Sequence, residues 1–198
     1  VNSKHVPWIV AGVLGAVVVG GLVLASSSSS SGVDDGRPIL VVGDSYAVGL
    51  AAALRRMFPG RSISSVAKGG QGAYYMTPIQ ETDGWVIVSA GTNDAAGAAS
   101  PSDIADRVLR VLGPYADCSA RRGGVAYIEP HSKMGGKLGE RVAMVRAELV
   151  SRGLDRASCL AVVPIRPAPS PVDNIHFSPE GYETIAGDAV KALASLRT

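Results

Sequence analysis

A three-layer α/β/α sandwich built on a five-stranded parallel sheet is the fold class this sequence predicts for residues 37–198. Two observations lead there. From Pro38 onward, short β-rich apolar runs alternate with amphipathic stretches, the pattern of a parallel sheet flanked by helices. Glycine- and asparagine-containing turns follow the first three runs directly, at the carboxyl ends where open α/β sheets bind ligands. A third observation sets the size. The first thirty or so of the 198 residues differ in character from the rest, which leaves one domain of about 160 residues.

Within the expected N-terminal anchor, residues 1–25, Val6–Ala25 (VPWIVAGVLGAVVVGGLVLA) is a run with no charged residue. At about 1.5 Å per residue such a helix spans the roughly 30 Å hydrocarbon core, so the segment reads as a transmembrane helix. Lys4 precedes it and Asp34 and Asp35 follow, which favours a cytoplasmic N-terminus and a folded domain outside the cytoplasm. A cleaved signal peptide is the alternative, with Val23 and Ala25 at the minus-three and minus-one positions, although the apolar run is long for one. Gly12, Ala16 and Gly20 recur every fourth residue, a small-residue series that would let two such helices form a weak homodimer. Ordinary anchor composition explains the same series.

Ser26–Ser31 and Gly32 form a flexible linker with nothing to bury, and the domain is expected to begin near Arg37. Five strands follow: Ile39–Val42, Ser62–Val66, Trp85–Ser89, Gly124–Ile128 and Leu160–Ile165. The second is half serine. The first, third and fifth are continuous apolar runs, as expected of strands buried on both faces. Helices are predicted at 46–58, 101–116, 136–152 and 179–196. Ser100-Pro101 and Ser178-Pro179 supply N-caps with proline at the first helical position.

Composition excludes several functions. A hydrophobic content of 46% with 24 glycines suits a compact domain, and 19 basic against 17 acidic residues, with no basic stripe, give no sign of a nucleic-acid partner. Three histidines cannot assemble a convincing zinc cluster. Cys118 and Cys159 are an even pair that fits either a disulfide or two buried thiols.

Three blocks carry the chemistry. After the first strand, Gly43-Asp44-Ser45-Tyr46 puts a serine where a helix begins and offers unpaired N–H groups. After the third, Gly91-Thr92-Asn93-Asp94 presents a side-chain amide able to donate to a developing oxyanion. Before the last helix, Asp173-Asn174-Ile175-His176 lets a carboxylate fold back onto one imidazole nitrogen and leaves the other for the serine. Taken singly, the first two blocks read rather as a helix cap and a turn.

Read together, GDS, GTND and DxxH in this order and spacing make residues 37–198 resemble the SGNH hydrolases, the GDSL-type esterases and lipases, whose fold is a flavodoxin-like sandwich. The resemblance implies Ser45 as nucleophile, His176 as base and Asp173 as its orienting carboxylate. It implies an oxyanion hole from the Asn93 amide, the Ser45 backbone N–H and a glycine N–H after the second strand. That loop, Lys68-Gly69-Gly70-Gln71-Gly72-Ala73, departs from the family's asparagine-containing form, and Gly72 aligns best with Gly70 as the alternative. In this mechanism His176 takes the serine proton, an acyl-enzyme forms and water releases the acid, with no metal or organic cofactor.

Asp44 and Asp94 adjoin turns and read as structural acceptors. His131, expected to face the active-site edge, reads as an ordinary loop residue or, alternatively, a substrate contact, and Tyr74, Tyr75 and Met76 as lining of the acyl or leaving-group side or simple packing. The domain has no long insertion for a lipase lid, so the expected substrate is a small acyl ester, such as acetyl on envelope or extracellular carbohydrate. A lysophospholipase or thioesterase is the alternative among hydrolases. Outside them stand a non-catalytic glycan-binding or structural module, and a phosphate binder using Gly69–Gly72 as an anion nest.

Overall fold

The structure, a computed structural model, describes residues 36–131, 136–170, 173 and 175–196. The apolar run at 6–25 and the serine linker lie outside the described residues. Among the described residues no helix is long and apolar enough to cross a membrane.

Five strands, β1 (Ile39–Gly43), β2 (Ile63–Ala67), β3 (Trp85–Ser89), β4 (Gly124–Ile128) and β5 (Leu160–Val163), form one sheet in the order β2-β1-β3-β4-β5. Every pairing is parallel, with Ile39 opposite both Ile63 and Trp85, and Trp85 opposite Gly124. This is the flavodoxin-like strand order, with its switch point between β1 and β3. The helices are α1 (Ser45–Met57), the short α2 (Thr92–Ala96), α3 (Pro101–Leu112), α4 (Gly136–Ser151) and α5 (Pro179–Ser195).

Side chains alternate across the sheet, as the two-residue strand period requires. Ile39, Val41, Trp85, Ile87, Ala126 and Ile128 meet α1 and α5 on one face. Val42, Val86, Val88, Val125 and Tyr127 meet α3 and α4 on the other. β1, β3 and β4 are thus sandwiched on both sides. Serine caps set where the helices start: Ser178 accepts from Gly181 N–H, and Ser100 and Asp103 form a reciprocal capping box.

One expectation is corrected. β5 is an apolar run, yet it lies at a sheet edge, where Ala161 and Val162 are only half-buried, whereas β4 is buried throughout. An apolar sequence reports burial against neighbours without distinguishing central from edge strands. β2, half serine, holds the other edge with Ser64, Ser65 and Val66 exposed. Cys118 and Cys159 are joined in a disulfide, linking the segment after α3 to the residue that precedes β5.

Candidate active site

The turn from β1 into α1 is fixed by close approach to β3. A Cβ on Gly43, whose φ is +145°, would lie 2.0 Å from the Ser89 carbonyl oxygen, so only glycine fits. The next residue, Asp44, caps α1. Its Oδ1 accepts from Tyr46 N–H at 3.0 Å and from the Ser89 hydroxyl at 2.9 Å. Asp44 is buried, and among the described residues its Oδ2 has no hydrogen-bond partner. Burial pushes its carboxyl up from 3.8 to about 6, against the opposing pull of the Ser89 and Tyr46 hydrogen bonds. Ser45 therefore begins α1, half-buried, at the carboxyl edge of the sheet.

The segment before α5 brings Asp173 and His176 together. His176 Nδ1 lies 2.6 Å from Asp173 Oδ2, and Asp173 Oδ1 accepts the backbone N–H groups of Ile175 and His176, each at 2.9 Å. The Ile175 backbone bond, then the imidazole and the His176 backbone, hold the Asp173 carboxyl down at about 2. An ionised Asp173 favours the tautomer with the proton on Nδ1, leaving Nε2 as the acceptor. The loop is tied to the serine turn by Tyr46, whose hydroxyl donates to the Ile175 carbonyl at 2.9 Å and whose ring meets His176 edge-on at 6.1 Å. Among the described residues the Ser45 hydroxyl makes no hydrogen bond, so the serine–histidine contact is not closed in this structure.

Asn93 lies in the first turn of α2, with Gly91 before it at φ +104°. Its Nδ2 donates to the Gln71 carbonyl at 3.2 Å, which joins it to the loop after β2. Gly70 and Gly72 line a cleft of about 610 Å³ together with Asn93, and Ser45 is not among its walls. Gly70 has φ +73°, with open space where a Cβ would stand. A Cβ on Gly72 would come within 3.0 Å of the Asp94 carboxylate. That carboxylate accepts Ala73 N–H at 2.6 Å and pairs with Arg107 at 3.2 Å, so Asp94 clamps the loop to α3. Both glycines remain candidates for the oxyanion N–H: a Cβ would be crowded at Gly72, whereas at Gly70 it is the positive φ that favours glycine.

Asp44 and Asp94 are buried hydrogen-bond acceptors, as expected of structural carboxylates. His131 is buried with its ring 5.4 Å from Phe177. The run Tyr74-Tyr75-Met76 divides: Met76 is buried, whereas Tyr74 and Tyr75 stand exposed beside the Asn93 cleft. Among the described residues no cluster of His, Cys, Asp and Glu converges as metal ligands would.

Sequence reasoning missed three positioning contacts. Tyr46 gave a faint signal as an aromatic next to the serine, but its partner Ile175 is distant in sequence. Arg107 reaches Asp94 from the next helix. Arg141, on α4, donates to the Ala95 and Ala99 carbonyls at 2.7 and 2.5 Å and fixes the far wall of the cleft. No local pattern marks these arginines.

No family model matches the sequence, and no curated relative matches it. The fold has clear counterparts among solved structures. A lipolytic protein of the G-D-S-L family from Veillonella parvula superposes with a TM-score of 0.61 at 12% identity, over 80% of this chain and 99% of that one. A carbohydrate acetylesterase from Sinorhizobium meliloti gives 0.55 at 16% identity, over 78% and 96%. A family 2 carbohydrate esterase with a carbohydrate-binding domain from Corynascus thermopiles gives 0.61 at 14% identity, over 81% and 66%. The described domain thus has the fold of the GDSL-type hydrolases.

Proposed function

We propose that this chain is a serine ester hydrolase of the SGNH class that removes small acyl groups, such as acetyl, from carbohydrate. The observation that carries the reading is the 2.6 Å Asp173–His176 bond, held by Tyr46 against the helix that begins with Ser45. A serine hydroxyl is a weak nucleophile at neutral pH and needs a base of this kind. In the proposed reaction Ser45 Oγ attacks the ester carbonyl as its proton passes to His176 Nε2, and Asp173 stabilises the imidazolium. The same proton then goes to the leaving alcohol. Water, deprotonated by His176, attacks the acyl-enzyme and releases the acid. Asn93, the Ser45 N–H and the glycine N–H of the Gly70–Gly72 loop stabilise the oxyanion in both steps.

The carbohydrate reading draws support from the acetylesterase and carbohydrate esterase that share the fold, and from a cleft at Asn93 that is wide and partly polar. We also propose that the domain, residues 37–198, works outside the cytoplasm behind the linker at 26–36, held at the membrane by the 6–25 segment. The Cys118–Cys159 disulfide supports an oxidising compartment.

The test is hydrolysis of p-nitrophenyl esters of rising chain length by the purified full chain and its Ser45→Ala and His176→Ala variants. Acetate should be preferred. Each variant should lose activity by at least a thousandfold while melting like the parent, and their effects should not add. Activity within tenfold of the parent in a folded Ser45→Ala protein would remove Ser45 from the mechanism.

A further inference from the structure

Tyr74 and Tyr75 are 60% and 74% exposed, although their neighbours Ala73 and Met76 are buried. Two solvent-facing aromatic rings side by side forgo a large burial gain, on the order of 25 cal/mol for each Å² left in water. Their backbone is held firmly. Ala73 N–H donates to Asp94, Arg110 donates to the Ala73 and Tyr74 carbonyls at 2.8 and 3.0 Å, and Gln71 Nε2 donates to the Tyr75 carbonyl at 3.0 Å. The rings meet edge to face with centroids 5.0 Å apart, and the Arg107 guanidinium lies 5.2 Å from the Tyr74 ring. Exposed aromatics on so fixed a turn are preorganised for a ligand, because little ordering entropy remains to be lost on binding.

The surroundings select the ligand. Both tyrosines and Arg107 line the 610 Å³ cleft that contains Asn93. Beyond Tyr74 a second cleft of about 590 Å³ continues, lined by Asp103, Asp106, Arg107 and Arg110. A long alkyl chain laid along this path would cover arginines and carboxylates without satisfying them, at a desolvation cost. A sugar chain meets both needs: the C–H face of a pyranose ring stacks on tyrosine, and its hydroxyls pair with guanidinium and carboxylate groups.

We infer that Tyr74, Tyr75 and Arg107 form a sugar-binding platform that holds the leaving-group side of the substrate and extends past the acylated unit to at least one further sugar. The inference rests on the ester hydrolase reading and specifies its substrate as an acylated oligosaccharide or polysaccharide. The cleavage itself is unchanged: the C–O bond between acyl carbon and sugar oxygen breaks, and the sugar hydroxyl leaves with the proton from His176.

The experiment compares the full-length parent with Tyr75→Ala, Tyr75→Phe and Tyr74→Ala/Tyr75→Ala. The probes are p-nitrophenyl acetate and acetylated oligomers of xylose, mannose and N-acetylglucosamine, each at one, two and four units. The parent should show a KM for at least one tetramer below that for its monomer. For that tetramer the double variant should raise KM at least tenfold more than it does for p-nitrophenyl acetate, with kcat changed less, and Tyr75→Phe should retain the parent's KM. A parent indifferent to chain length in all three series would overturn the platform, as would equal losses on the sugar and nitrophenyl esters. If the double variant does not melt cooperatively, the Tyr75→Ala and Tyr75→Phe pair decides by the same criterion. Failure of the underlying reading looks different, because the parent would then not hydrolyse p-nitrophenyl acetate or would do so without Ser45.

Discussion

Asp44 should make the domain less stable as pH rises, and Asp44→Asn should remove that slope. The carboxyl is buried, with one oxygen unpartnered, and desolvation raises it from 3.8 to about 6. Between those values the unfolded chain has released its proton while the folded chain still holds it. The native state therefore binds more protons, and unfolding free energy falls as pH climbs, reaching its plateau above about 6. A displacement of about two pH units at 1.36 kcal/mol each is about 3 kcal/mol in all, of which about 2.4 kcal/mol is lost between pH 4 and 7.5 because the unfolded carboxyl is already partly ionised at pH 4. In a domain of this size that smaller loss corresponds to roughly 5–10 °C in melting temperature. An asparagine keeps Oδ1 as acceptor for Tyr46 and Ser89 but does not ionise. Its amide, placed where Oδ2 has no partner, imposes a fixed cost on the order of 1–3 kcal/mol at every pH. That cost cancels when the parent–variant difference at pH 4 is subtracted from the difference at pH 7.5. Asp173 titrates in the opposite sense, since a carboxyl held near 2 contributes stability that is lost as pH falls, and it too cancels because both proteins carry it. Scanning calorimetry of both proteins at the two pH values measures the difference directly. If the gap between their melting temperatures is the same at pH 4 and 7.5, Asp44 titrates normally in the folded state and the burial argument fails.

Two further perturbations follow from the same geometry. Asn93→Ala should lower kcat by about 10²–10³ with a smaller change in KM, because an oxyanion donor acts on charge present only in the transition state; a variant that melts early yet turns over normally would make Asn93 a structural residue alone. Reducing the Cys118–Cys159 bridge, which closes a separation of 41 residues, should cost about 4 kcal/mol in the chain-entropy account and lower the melting temperature by roughly 8–16 °C, with kcat of the folded protein at 25 °C retained. A melting temperature indifferent to reductant would mean the bridge does not constrain the unfolded chain.

The fold was legible where local forces decide it. Trp85–Ser89 and Gly124–Ile128 fall on their predicted bounds, because an apolar run between turns in an alternating pattern has few other outcomes. Ser100 and Ser178 mark α3 and α5 because their side chains satisfy the first helical N–H groups, a contact three residues long. Legibility ends where partners are far apart. β5 reads like a central strand because sequence does not say how many neighbours a strand has. Gly91–Asp94 reads as a turn but opens α2, since five residues are too few to show a helical period. The Asp173–His176 pair was visible because the two lie three residues apart, whereas the Asp94–Arg107 clamp and the Arg141 strut depend on how helices dock. For Cys118 and Cys159, parity allowed a bridge and only proximity in the fold selected it.

The bond from the Tyr46 hydroxyl to the Ile175 carbonyl spans 129 residues of chain, and that separation is also an interval of time. At about 5–20 residues per second, the proposed nucleophile leaves the ribosome roughly 6–26 seconds before the imidazole that would activate it. During that interval the serine turn would lack its proposed proton acceptor, and afterwards the His176 loop must find its place on a helix made long before. A product released before residue 176 carries Ser45 and Asn93 but no His176. Under the proposed mechanism, such chains would lack the base for Ser45, and ester hydrolysis would begin only after that residue has emerged.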